Sequence, residues 1–157
     1  MSVSFSRKTK RRFNQLLSHY PDRKAALLPT LYLAQEEFGQ VSPEMEKYVA
    51  SLLEVPVVAI REVMSFYTRF HDHPIGKYHI QVCESLSCNL LGAESLIDYL
   101  SGKLNIRVGE TTPDRKFTLS TVECLGACEL APMMQINQDY YESLTEEKID
   151  HILTGLE

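Results

Sequence analysis

All four cysteines of this 157-residue chain lie in its second half, as Cys83-x4-Cys88 and, after thirty-five further residues, Cys124-x3-Cys128. If the four thiols act together, the fold must carry two separate loops to one point, which excludes most arrangements of the elements around them. A 2Fe–2S centre takes four thiolates, two per iron, and suits two local pairs. Three other readings stand beside it. Two disulfides would suit a secreted domain, but no signal peptide is expected here, and a chain of this length buries roughly two thirds of its unfolded surface without staples. Structural zinc accepts C-x4-C, though C-x2-C is its usual pairing. Unligated buried cysteines are common singly, less so as two loop pairs. A C-x-x-C redox dithiol is absent.

The hydrophobic period changes ahead of the cysteines. Residues 1–70 read as helical. Phe13, Leu16, Leu17 and Tyr20 make one stripe, and Leu27, Leu31, Ala34 and Phe38 a second that Gly39 ends. Met45, Tyr48, Val49, Leu52 and Leu53 make a third behind a Ser42 cap and a first-turn Pro43. Ile60, Val63, Met64 and Tyr67 follow Pro56. Pro29 within the second stripe predicts a kink or a late helix start. Four short-linked helices make a small bundle, and their apolar stripes are its core.

After His71-Asp-His-Pro74 the pattern alternates. Lys77–Val82 reads as a strand with Tyr78, Ile80 and Val82 on one face, and Asn89–Lys103 as a helix. Phe117–Val122 and Met133–Ile136 read as strands, and Tyr140-Tyr141 as a short partner strand after the Asn137-Gln138-Asp139 turn. Thr145 caps a last helix with Glu146 and Glu147 near its positive end and Ile149, Ile152 and Leu153 buried. The plan is α+β overall: a helical bundle at 1–73, then an α/β domain of thioredoxin-like order at 74–157.

Around the cysteines, amides at the start of the Asn89 helix are expected to stabilise an anionic cluster and lower the thiol pKa. Gly126 lets backbone approach a sulfide, and Leu86, Leu125, Ala127 and Leu130 are expected to exclude water. His71, His73 and His79 read as solvated or packed rather than ligating, and Met133-Met134 as sheet core rather than a copper site.

A net charge of −5 argues against a dedicated nucleic-acid binder. No apolar run approaches the roughly 20 residues of a membrane span, so no direct membrane insertion is expected. The cluster Arg7, Lys8, Lys10, Arg11 and Arg12 can read as an organelle presequence or a phosphate-binding arm. With Phe13, Leu16 and Leu17 directly behind it, it reads better as the exposed start of an amphipathic helix. No G-x-G-x-x-G follows a strand, so no nucleotide or flavin site is expected.

From about Phe13 to the C-terminus the chain resembles the thioredoxin-fold 2Fe–2S subunit of the NADH dehydrogenase module of respiratory complex I, the E-type subunit family of NADH-quinone oxidoreductase. Relatives of that family occur in NAD-linked hydrogenases and formate dehydrogenases. The resemblance rests on Gln35-Glu-Glu-Phe-Gly39, Glu62-Val-Met-Ser-Phe-Tyr67, Pro74-Ile-Gly-Lys77, Cys83-x4-Cys88, Gly109-Glu-Thr-Thr112 and Glu123-Cys-Leu-Gly-Ala-Cys128 with Ala131-Pro132. Asp114-Arg-Lys116 departs from a more usual Asp-Gly turn. The resemblance implies that Cys83, Cys88, Cys124 and Cys128 ligate one 2Fe–2S cluster for one-electron transport. It implies that FMN and NADH are held only by a partner subunit. It places the chain in the cytoplasm of a bacterium, peripheral to the inner membrane through its complex, with the mitochondrial matrix as the alternative. Pro132 sits just before the Met133 strand, where thioredoxin-like folds often place a cis-proline, so a cis Ala131–Pro132 bond is expected from its position. The alternative readings are the equivalent diaphorase subunit of an NAD-linked hydrogenase or formate dehydrogenase, and a structural-zinc binding module.

Overall fold

A computed structural model describes residues 3–156, which part between Pro74 and Ile75 into two compact units. In the first, α1 (Arg7–Leu17) starts where Ser6 accepts the Thr9 N–H, and buries Thr9 and Phe13 while its basic residues face water. Tyr20, expected on the same stripe, lies beyond the helix end and is exposed. Pro29 marks a late start: a single 3₁₀ turn at Lys24–Ala26 leads into α2 (Leu27–Phe38), so the proline sits in the first turn, where its missing N–H is an orphan anyway. Gly39 ends α2 at φ +77° with its N–H on the Gln35 carbonyl.

The next helix, α3 (Pro43–Leu53), opens at Ser42, but the serine hydroxyl donates to the Glu44 carboxylate instead of capping the backbone. The nearby acid offers a charged acceptor, which outcompetes the neutral role. α4 (Val57–Phe66) stops one residue short of Tyr67, which is exposed. Leu31, Ala34, Val49, Leu53 and Ile60 form the centre of this unit's core.

The second unit is a four-stranded sheet in the order β2-β1-β3-β4, from β1 (Tyr78–Cys83), β2 (Phe117–Val122), β3 (Met134–Ile136) and β4 (Asp139–Tyr141). β1 runs parallel to β2 and antiparallel to β3. Ile80, Val82, Leu119, Met134 and Ile136 share the face that packs against Leu96 and Leu100 of α6 (Ala93–Leu104) and Ile149 of α7 (Glu146–Gly155). Alternation in β1 marks that face correctly. It does not reveal that His79, Gln81 and Gln135 on the other face are buried as well. His79 and Gln135 persist there because they are bonded: His79 Nε2 meets Ser120 Oγ at 2.7 Å, and Gln135 Nε2 donates to the Asn137 carbonyl. Thr145 caps α7 through the Lys148 N–H.

The predicted Asn89–Lys103 helix is two. A short α5 (Leu86–Leu90) precedes α6, and Gly92 at φ +94° makes the break. Only glycine enters that region freely, so the apolar periodicity runs across an interruption that the backbone cannot.

Gly76 sets the start of β1. A Cβ on it would stand 2.7 Å and 2.9 Å from the Phe117 carbonyl carbon and nitrogen. Its N–H also donates to Thr118 Oγ1 at 2.6 Å. Because the obstruction is backbone, Gly76→Ala is expected to destabilise the protein by about 2 kcal/mol, a drop of about 4–8 °C in the melting midpoint. A midpoint within a degree of wild type would show that the segment shifts freely.

In the Asp114-Arg115-Lys116 turn, Arg115 takes φ +58°, the conformation that the more usual glycine adopts without strain. Asp114 holds the turn by accepting from Thr112 Oγ1 and the Lys116 N–H.

Candidate metal centre

Cys83 is the last residue of β1, which is a central strand, and its side chain is 2% exposed. Cys88 is the only buried residue of α5 and is 1% exposed. The helix therefore exists in this register with one side chain turned inward, a thiol. Cys88 lies inside α5 rather than ahead of a helix as the sequence suggests. With Ala93, Ala127 and Met133 the two cysteines form a small separate core, against which Leu125 and Ala131 pack. The Ala131–Pro132 bond beside it is cis, as expected from its position.

Cys124 and Cys128 belong to the loop after β2, and both are exposed. This loop is held by few bonds. Gly126 donates its N–H to Cys124 Sγ at 3.3 Å, the Leu130 N–H reaches the Ala127 carbonyl, and Tyr140 Oη donates to the Leu125 carbonyl at 2.8 Å. Cys83 Sγ in turn lies 3.9 Å from the Glu123 carbonyl, one residue ahead of Cys124. Gly126 has φ +80°, and a Cβ there would meet nothing within 4 Å. The backbone angle, not crowding, is what selects glycine.

None of the four cysteines is joined in a disulfide. Burial, then the hydrogen bond with Cys83, pushes the Cys88 thiol up to about 11, while the Met133 N–H pulls the other way and Cys128 adds to the rise. The expected lowering by a helix start is therefore not what the protein alone provides: α5 is one turn long, and desolvation of a thiolate in an apolar pocket outweighs its amides. The expected shield also needs revision. Leu125 and Ala127 cover the thiols, but Leu86 and Leu130 point to solvent. Leu86 fails because Cys88, two residues on, takes the inward face of α5.

The donor set fits a two-iron, two-sulfide group. It consists of four soft ligands as two local pairs, one pair buried and one at the surface, with backbone N–H groups of Gly126 and Met133 on the sulfurs. Among the described residues, no three His, Cys, Asp or Glu side chains are gathered closely enough to hold a metal ion as they stand. Two of the histidines have side-chain partners of their own: His73 pairs with Asp72, and His79 with Ser120. Met133 and Met134 are buried in apolar clusters.

The family model for thioredoxin-like [2Fe-2S] ferredoxin matches residues 13–157. The E-type subunit numbered 2 of NADH-quinone oxidoreductase in Rhizobium meliloti (strain 1021) is 48% identical over 136 residues, 87% of this chain and 81% of that protein. The E-type subunit of NADH-quinone oxidoreductase in Rickettsia felis is 44% identical over 155 residues, 97% of this chain and 93% of that one. Among solved structures, the air-oxidised NAD+-reducing [NiFe]-hydrogenase superposes with a TM-score of 0.73 at 22% identity over 83% of this chain, which spans 22% of the hydrogenase chain. That likeness concerns the fold alone.

Proposed function

The chain belongs to the thioredoxin-like [2Fe-2S] ferredoxin family, and on that premise we propose that it is the E-type subunit of an NADH-quinone oxidoreductase, carrying single electrons through one 2Fe–2S cluster. The observation that carries this reading is the 44% identity that continues over 97% of the chain, across the helical unit as well as the cysteine-bearing one. Residues 1–73 and 74–157 serve as a helical domain and a cluster domain.

Cys83 and Cys88 would hold one iron and Cys124 and Cys128 the other, since short loops favour local chelation. When bound, the cluster stores and releases one electron at a time. Cys83 and Cys88 contribute from a pocket that Ala93, Ala127 and Met133 keep dry. The Gly126 and Met133 amides donate to thiolate sulfur and stabilise its charge. Hydride chemistry falls to a partner subunit that holds flavin and NADH. On this reading the chain is cytoplasmic and peripheral to the inner membrane through that complex. No helix among the described residues is long and apolar enough to cross a membrane.

Anaerobically purified chain is expected to be coloured and to contain about two irons and two acid-labile sulfides. A colourless protein with stoichiometric zinc would overturn the proposal in favour of a structural-zinc module.

A further inference from the structure

We propose that Tyr140 tunes the sulfur of Cys124 through a single peptide group, so that a phenol on the edge strand β4 helps to set how readily a cluster on that sulfur takes up an electron. This inference rests on the function proposed above and adds a positioning residue to its site.

Two hydrogen bonds share one amide. Tyr140 Oη donates to the Leu125 carbonyl at 2.8 Å. The Gly126 N–H donates to Cys124 Sγ at 3.3 Å. That carbonyl and that N–H are the two ends of one peptide unit. A trans peptide points them in opposite directions, and among the described residues the one cis bond is Ala131–Pro132. The phenol therefore stands on one side of the unit and the sulfur on the other. The parts are held from three sides. Gly126 turns the loop at φ +80°, and the Leu125 side chain packs against the core that contains Cys83 and Cys88. Tyr140 lies opposite Gln135, and Gln135 opposite Gln81. Alternation puts these three on the sheet face of Cys83, two residues beyond Gln81. Tyr141, the next residue, takes the other face and packs with Met134.

A donor on the carbonyl oxygen polarises the amide and makes its N–H a stronger donor in turn. Hydrogen bonds to ligand sulfur are among the levers that set a cluster's potential, because they stabilise negative charge there. A ligand sulfur carries more negative charge after reduction, so both bonds tighten and the reduced state gains. One electron is added and no proton moves: the phenol keeps its O–H and the amide its N–H. Tyr140 is 48% exposed, so water competes for the same carbonyl. A phenol anchored on a strand has already lost the freedom that a bridging water must give up. A plain tie between loop and strand is the other use of such a bond. Any carbonyl of the loop would serve for that, whereas the one taken belongs to the amide on the sulfur.

The test is a reductive titration of the cluster-loaded full chain with dithionite and redox mediators, followed by its visible spectrum. Tyr140→Phe removes the donor and is expected to disfavour the reduced state by about threefold, a fall of roughly 30 mV at ~59 mV per tenfold for one electron. Tyr140→3-fluorotyrosine gives a stronger donor of nearly the same shape. It is expected to shift the potential upward, measured at mildly acidic pH where its phenol stays protonated. Tyr141→3-fluorotyrosine, on the other face of the sheet, is expected to leave the potential unchanged. Should Tyr140→Phe not load, the two fluorinated chains decide alone. An unchanged potential in the Tyr140 variants would overturn the relay. So would a shift with phenylalanine and none with fluorotyrosine, which would make Tyr140 a tie for the loop only, or an equal shift from position 141. Each of these results leaves the proposed function standing while wild type shows a two-iron spectrum. If wild type takes up no such cluster, both proposals fall.

Discussion

Cys88→Ser is expected to lose the cluster almost completely, with visible absorption and iron content falling to about a tenth of wild type or less, whereas Cys124→Ser is expected to retain part of both. The two positions differ in surroundings, not in chemistry. Cys88 is 1% exposed, inside a pocket of Ala93, Ala127 and Met133. A hydroxyl there must give up its proton in an apolar setting that already opposes ionisation of the thiol it replaces. The chain around it is fixed by α5 and by the central strand β1, so no other donor can move in. Cys124 is exposed, in a loop held by few bonds, where a serine oxygen or water can take the vacated position with solvent stabilising its charge. The measurement is iron, sulfide and visible absorption for each single variant after identical anaerobic reconstitution. An unchanged spectrum and iron content in either variant would remove that cysteine from the ligand set. Equal loss in both would refute the buried-versus-exposed distinction.

The cluster-loaded chain mixed with NADH and an artificial electron acceptor is expected to show no steady turnover. Hydride transfer delivers two electrons together, and a 2Fe–2S cluster ordinarily takes one, so a flavin must stand between them. The chain has no G-x-G-x-x-G after a strand. The first cysteine-unit strand, β1, instead ends at Cys83 and leads into a helix of five residues. Adding the flavin-bearing subunit is expected to bring cluster reduction by NADH, seen as bleaching in the visible. Steady turnover by the isolated chain would show that it has a nucleotide site of its own.

The helical half was legible because each stripe in it faces one core. Leu31, Val49, Leu53 and Ile60 are all buried where the period places them, and Pro29 resolves as a first-turn residue. The sequence alone also determined that the cysteines come as two local pairs and that strands surround them, since spacing and alternation are local properties. The break at Gly92 was not legible, because Leu90, Ala93, Leu96 and Leu100 keep helical spacing on both sides of it. Nor was the burial of His79, Gln81 and Gln135: alternation marks one face of a strand, and whether the other face is covered depends on what the fold packs there, as Ser120 meets His79 across the register of β1 and β2.

The division among the cysteines was decided only by the tertiary structure. C-x4-C and C-x3-C look alike as text, but the first pair spans the end of a central strand and the inward face of α5, and the second lies in an outer loop. The same geometry decided which leucines shield the thiols. In the sequence Leu86 and Leu125 are equivalent neighbours of a cysteine. In the fold, Cys88 takes the inward side of α5 and turns Leu86 and Leu90 outward, because one turn of helix has a single face to bury.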